Sequence, residues 1–242
     1  GGTALNAEAR DDVTAVVDLG ALGLSYIRES NGAIAIGATT TLATIEESPI
    51  LRALANGVIA QAAHRSAANI LRNQATIAGT LISDPNGILM TSLLACHAKL
   101  IIAPEVLFVA VPEGEIEDSV EGIAIAYYLA FRELMFPEML VTEIVIPLAN
   151  PRASLQTVER TPSDKPIVSA CASAQIENGI ARNVRIVLGG LADLAVRAVE
   201  AEQMLDGQVL SETNIEKALL TIIDPDWQTP DDFRGSAAYR QA

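Results

Sequence analysis

Aromatic side chains are scarce: Phe, Trp and Tyr make up 4% of the 242 residues. The cores must therefore be filled by small and branched aliphatics, and few aromatic platforms remain on which nucleotide bases could stack. Basic residues are the second shortage. Sixteen Lys and Arg face thirty Asp and Glu, giving a net charge of −14 with no basic run to offset it. Such a surface repels phosphate backbones and anionic lipid headgroups, which argues against nucleic acid as a partner. Soft metal ligands are the third shortage, with two cysteines, Cys96 and Cys171, and two histidines, His64 and His97. An iron–sulfur cluster takes about four thiolates and structural zinc about four ligands, so metal chemistry is expected on another chain. Both cysteines lie in apolar surroundings and read as buried thiols. No apolar run approaches the ~20 residues of a membrane span, and no export signal is legible, so a soluble cytoplasmic protein is expected.

Half of the residues are apolar, enough for one large domain or two modest ones with real cores. Strands are predicted over Val13–Leu19, Leu24–Arg28 and Ala33–Ile36 around an Asn31-Gly32 turn. Thr41 reads as the N-cap of a helix to Glu47, and Ile50–Ala63 as further helix. Ala67–Gly87, rich in Asn, Thr, Ser and Gly, reads as a loop of the kind that carries function. A buried helix over Ile88–His97, strands over Lys99–Ala103 and Val106–Val111, a helix over Ile123–Leu134 and a strand over Met139–Pro147 follow. Asn150-Pro151 breaks the pattern, and a boundary near Asn150 is expected, dividing the chain into 1–149 and 150–242. The second part restarts with strands over Ser154–Arg160, Ile167–Glu177 and Ala181–Gly189, the last two joined by an Asn178-Gly179 turn. Helices over Val196–Leu205, closed by Gly207, and Thr213–Ile223 complete it. The fold class is α+β, with an antiparallel sheet and helices in the C-terminal part. Gly1-Gly2-Thr3, with no initiator Met and no preceding element, reads as the interior of a longer chain, and the uncapped ending at Tyr239-Arg240-Gln241-Ala242 reads the same way.

Three loops pair glycine with hydroxyls: Gly1-Gly2-Thr3, Gly37-Ala38-Thr39-Thr40-Thr41 and Thr76-Ile77-Ala78-Gly79-Thr80. Backbone N–H groups and Thr hydroxyls of this kind can hold a pyrophosphate where cationic side chains are few. An acidic chain can do so because dipoles act locally while net charge is screened beyond roughly 8–10 Å. Each loop alone is also an ordinary turn or helix cap.

Taken in order with their neighbours, the loops are more specific. Gly1-Gly2-Thr3-Ala4-Leu5, Ile36-Gly37-Ala38-Thr39-Thr40-Thr41-Leu42 and Ile70-Leu71-Arg72-Asn73-Gln74-Ala75-Thr76-Ile77-Ala78-Gly79-Thr80-Leu81, followed by Asp84-Pro85, resemble the FAD-binding subunit of molybdenum hydroxylases of the xanthine dehydrogenase and carbon monoxide dehydrogenase type. Arg160, Asp164, Leu188-Gly189-Gly190-Leu191-Ala192, Val196-Arg197-Ala198 and Phe233-Arg234-Gly235-Ser236-Ala237-Ala238-Tyr239-Arg240 resemble the C-terminal domain of the same subunits. The resemblance implies a PCMH-type FAD-binding domain, its N-terminal part missing, followed by a small C-terminal domain. It implies that Gly1, Gly2, Thr3, Thr76, Gly79 and Thr80 face the FAD pyrophosphate with Thr40 beside them. Asp84 would lie near the ribose end, where a carboxylate accepts hydroxyl hydrogen bonds; otherwise it is the N-cap of the helix near Ile88. Arg72-Asn73 would fix the loop. It further implies an iron–sulfur small subunit carrying [2Fe–2S], a molybdopterin large subunit, a dimer of heterotrimers, and NAD⁺, a quinone or dioxygen as acceptor.

The chain departs from that pattern at Ala78, where the family has a second glycine, at Gly87-Ile88, where it has an Asp or Glu, at Gln156, where it often has Lys, and at Lys165, where it often has an aromatic residue. Two other readings therefore stand: a structural subunit with weak or lost flavin, and a free-standing flavin oxidoreductase. Arg234 and Arg240 read as surface or inter-domain salt bridges and His97 as a polar helix cap.

Overall fold

Two Asn-Gly pairs fold the chain back on itself. Asn31 and Gly32, with φ of 51° and 73°, and Asn178 and Gly179, with φ of 51° and 81°, are all left-handed, as a two-residue turn matching strand twist requires. The computed structural model describes residues 2–7, 13–103, 122–135, 139–148, 152–161, 164–222 and 227–242. Gly1 and the strand expected over Val106–Val111 lie outside them.

The chain opens with α1 (Thr3–Ala7), and β1 (Ile27–Ser30) and β2 (Ala33–Gly37) flank the first turn. Next come α2 (Leu42–Glu47), α3 (Pro49–Ala53), α4 (Val58–Ser66), α5 (Asn69–Arg72), α6 (Ile77–Ser83) and α7 (Ile88–Ala95). Then follow β3 (Lys99–Ala103), β4 (Ile123–Ala124), α8 (Ile125–Met135) and β5 (Leu140–Pro147). The five strands form one antiparallel sheet in the order β1-β2-β5-β3-β4. A second antiparallel sheet, in the order β6-β7-β8-β9, contains β6 (Arg152–Val158), β7 (Val168–Glu177), β8 (Ile180–Gly189) and β9 (Val196–Arg197). It is followed by α9 (Val199–Leu205), α10 (Glu212–Leu219) and α11 (Ala237–Gln241).

Helix α7 joins the two sheets. All of its residues are buried, as a helix apolar all round must be, and it packs on α4 on one side and on β7 and β8 on the other. The main core therefore runs without a break from Ile36, Leu42 and Ile77 through Leu89 and Leu93 to Leu155, Cys171 and Val187. Strand alternation sends Ser169, Cys171 and Ser173 of β7 toward α7, where Ser173 Oγ donates to Ala95 O at 2.6 Å and Ser169 Oγ meets Thr91 Oγ1 at 3.3 Å. Ala170, Ala172 and Ala174 face the other way, onto an apolar groove of about 510 Å³ shared with α9 and α10.

Several expected elements differ. Val13–Leu19 forms no strand: Val16 and Val17 are 71% and 81% exposed, and alternation without a partner strand does not make a sheet. The helix expected over Ile50–Ala63 breaks at Ala55, Asn56 and Gly57, all left-handed. The expected loop Ala67–Gly87 contains α5 and α6, whose one and two turns are too short for a helical period to stand out. Ile123 and Ala124 pair with β3 before α8 begins, and Val196–Arg197 pairs with β8 before α9. Gly207, with φ of 76°, follows α9 as expected of a left-handed cap.

Candidate functional site

The glycine loops meet at α6. Thr76 caps this helix, its Oγ1 accepting from Gly79 N–H at 3.3 Å. Ile77 N–H donates to Thr40 O at 2.9 Å and Ala78 N–H to Ala38 O at 3.3 Å, so the first turn of α6 is tied to the segment after β2. Thr41 and Thr76 form a bridge beside these bonds. Thr40 is fully buried, and its hydroxyl donates to Tyr26 O and accepts from Tyr26 N–H, each at 3.0 Å. It supports the loop from beneath and offers no free hydroxyl outward.

Helix α1, which Gly2 precedes and Thr3 opens, lies against α6, the helix that Thr76 caps and that carries Gly79 and Thr80. Gly2, with φ of 70°, is exposed, as is Gly79, while Thr3 and Thr80 are half-buried. In a chain with thirty acidic residues, neither helix carries one. With the Gly79 N–H already bonded to Thr76 Oγ1, the donors left for a diphosphate are the Gly2 backbone and the threonine hydroxyls, on helices without an anion. Gly79 is not left-handed; a Cβ there would come within 2.8 Å of Thr76 Oγ1, so it is space that the position requires.

Asp84 closes α6, its N–H donating to Thr80 O at 2.9 Å. It does not cap α7, whose N-cap is Gly87 with no side-chain bond. Its Oδ1 accepts from Lys165 Nζ at 2.6 Å. A Cβ on Gly87 would fall on Asp84 Oδ2. Beside this pair lies a cavity of about 10 Å³ bordered by Gly87, Ser169, Gly189, Gly190 and Arg234, room for about one water. Neither Lys165 as the partner of Asp84 nor the need for glycine at 87 is visible in the sequence, since the pair is far apart along the chain.

Arg72 fixes its loop as expected: Nε meets Glu46 Oε2 at 2.7 Å, and Nη1 donates to His64 O and Ala67 O at 3.1 and 2.8 Å. Asn73 Nδ2 donates to Asn69 O at 3.3 Å. Glu46 also meets His64 Nδ1 at 2.7 Å. Burial alone would raise the carboxyl, but His64 and Arg72 outweigh it and hold it below the ordinary value. Arg234 and Arg240 both bind Asp232 at 2.7 Å. Arg240 is not a surface residue: its side chain is 0% exposed, and Nη1 donates to Ile167 O and Gly190 O. Arg160 lies 3.7 Å from Asp164 and 5.9 Å from the Phe233 ring centroid, and Gln156 Nε2 donates to Ser154 Oγ at 3.5 Å. His97 turns left-handed, φ 56°, just after α7. Burial raises both thiols, Cys171 up to about 12 and Cys96 further. Among the described residues no group of three His, Cys, Asp or Glu could hold a metal, and no helix is long and apolar enough to cross a membrane.

Comparison with known proteins identifies the family. Residues 1–149 match the family described as FAD binding domain in molybdopterin dehydrogenase, and residues 153–242 match the CO dehydrogenase flavoprotein C-terminal domain. An uncharacterised Escherichia coli K12 protein, YgfM, is 28% identical over 244 residues, spanning all of this chain and 80% of the relative. The glyceraldehyde dehydrogenase medium chain of Sulfolobus acidocaldarius is 23% identical over 93% of this chain and 77% of its own length. A chain of carbon monoxide dehydrogenase from Hydrogenophaga pseudoflava, in a form lacking the Mo-pyranopterin moiety, superimposes with a TM-score of 0.74 at 23% identity, covering 90% of this chain and 73% of that one. A chain of quinoline 2-oxidoreductase from Pseudomonas putida 86 gives 0.68 at 21% identity, with the same coverage of both chains. The α+β architecture is the shared fold, an FAD-binding domain followed by a C-terminal domain, and the chain belongs to the family of FAD-binding oxidoreductase subunits of molybdopterin dehydrogenases.

Proposed function

We propose that this chain holds FAD in an assembly with an iron–sulfur subunit carrying [2Fe–2S] and a molybdopterin subunit, and relays electrons from the clusters to an external acceptor. The observation that carries the reading is the apposition of α1 and α6, two helices free of acidic residues with exposed Gly2 and Gly79. In this reading Gly1, Gly2, Thr3, Thr76, Gly79 and Thr80 line the pyrophosphate path, Thr40 braces the loop, and Asp84 accepts ribose hydroxyls. When bound, the isoalloxazine ring supplies the redox chemistry, and the protein supplies placement and electrostatics. Substrate hydroxylation belongs to the molybdopterin partner, with NAD⁺, a quinone or dioxygen taking the electrons. The division between the two domains falls near Asn150, the assembly is a dimer of heterotrimers, and it works in the cytoplasm.

One observation favours a second reading, a structural subunit with weak flavin: the N–H groups of Ile77, Ala78 and Gly79 are already bonded within the chain. Mass analysis of cofactor released from the intact complex, together with its visible spectrum, separates the two. FAD in proportion to this chain is the expected result; FMN, or no flavin in a fully assembled complex, would overturn the first reading.

A further inference from the structure

Asp84 and Lys165 belong to different sheets' surroundings yet form a 2.6 Å ion pair, with side chains 20% and 44% exposed. The backbone under Asp84 is pinned first. Asp84 N–H donates to Thr80 O and Gly87 N–H to Asp84 O, while Ala195 N–H donates to Pro85 O at 2.9 Å and Asn86 Nδ2 to Ala192 O at 3.0 Å. The segment is thus fastened to α6 on one side and to the C-terminal part on the other. The carboxylate itself has two further constraints. Lys165 takes Oδ1, and the missing side chain at Gly87 leaves the space that Oδ2 occupies. Among the described residues Oδ2 has no hydrogen-bond donor.

We infer that Lys165 is a positioning residue for the cofactor, acting through Asp84. It holds the carboxylate in one orientation, with Oδ1 engaged and Oδ2 left to accept a hydroxyl from the ribose. Its charge also offsets that of Asp84, so the carboxylate can stand near a diphosphate without the full repulsion of two anions. Lys165 and Gly87 thus act on the two oxygens of one carboxylate. The inference rests on the proposed placement of the ribose at Asp84.

The test uses the assembled complex stripped of flavin and titrated with FAD, following flavin fluorescence. Lys165→Met should weaken FAD binding about tenfold, the scale on which partners of a ligand-holding side chain act, and Lys165→Arg should retain most of the affinity. Asp84→Asn should weaken binding on its own, and Lys165→Met should add nothing in that background. The melting temperature of the flavin-free complex should stay within about 2 °C, because an ion pair this exposed contributes little to folding. If Asp84→Asn binds FAD as tightly as wild type, the placement of the ribose is wrong and the inference falls with it. If Asp84→Asn weakens binding while Lys165→Met does not, the ribose placement stands and the role of Lys165 is overturned. Equal losses from Lys165→Met with and without Asp84 would also overturn it, since the lysine would then act independently of the carboxylate.

Discussion

At Gly79 the constraint is room. A side chain there would press on Thr76 Oγ1, the atom that caps α6, and would cover an exposed stretch of the helix. Gly79→Val should displace the cap, forfeiting about 1 kcal/mol at that helix end, and should bring a β-branched group to the proposed pyrophosphate path. Flavin content is expected to fall sharply while the complex still assembles and substrate still reduces its clusters. Flavin per chain, subunit stoichiometry and acceptor reduction on one preparation check this; normal FAD and normal turnover would remove α6 from the cofactor path. The glycine-hydroxyl character of this site was legible because it is local in sequence. The state of each hydroxyl was not: Thr40 and Thr76 look alike in the chain, yet one is buried under Tyr26 and the other caps a helix. Gly87-Ile88 reads in sequence as a place without the expected acid, whereas in the fold the carboxylate of Asp84 fills the space where a side chain at Gly87 would stand.

Among the elements, legibility follows how local the determinants are. Both Asn-Gly turns, the cap at Thr41 and helix α7 were visible because each is specified within a few residues. The strand expected at Val13–Leu19 failed because pairing is a tertiary event, and the break between α3 and α4 was hidden inside an apolar pattern that suits continuous helix. That break has a clear cause. Ala55, Asn56 and Gly57 are left-handed in succession, and Asn56 Nδ2 donates to Ala153 O at 3.0 Å at the start of β6. The turn therefore trades helix continuity for a bond to the second sheet. Gly57→Ala should destabilise the chain by about 1–2 kcal/mol, the penalty for an L side chain in left-handed backbone. Its Cβ would also meet Arg52 O at 3.0 Å. A fall of roughly 2–8 °C in the melting temperature is expected, and an unchanged melting curve would show that this backbone is not held in solution.

On the scale of the whole molecule, α7 and the shared core bind the two sheets from within, and the C-terminal segment clasps them from without. Arg240 of α11 reaches the carbonyls of Ile167 and Gly190, where β7 begins and β8 has ended, and Asp232 supplies its counter-charge. Two arginines on one carboxylate explain why Asp232 is held well below the usual carboxylate range, with Arg234 the larger influence and Arg240 adding to it. A carboxyl depressed in the folded state stabilises the fold above its unfolded pKa of about 4 and loses that contribution as pH falls through its lower folded value. Asp232→Asn leaves the buried Arg240 without its anion and should lower stability at neutral pH by about 2 kcal/mol. The melting-temperature gap between wild type and this variant should then be constant from about pH 8 to pH 5 and narrow below about pH 4, where the carboxyl of the unfolded wild-type chain takes up a proton that the folded one still refuses. Thermal unfolding across that range measures the gap directly. A gap that stays constant to the acid limit of folding, or that is absent at neutral pH, would show that the clasp does not depend on the charge of Asp232.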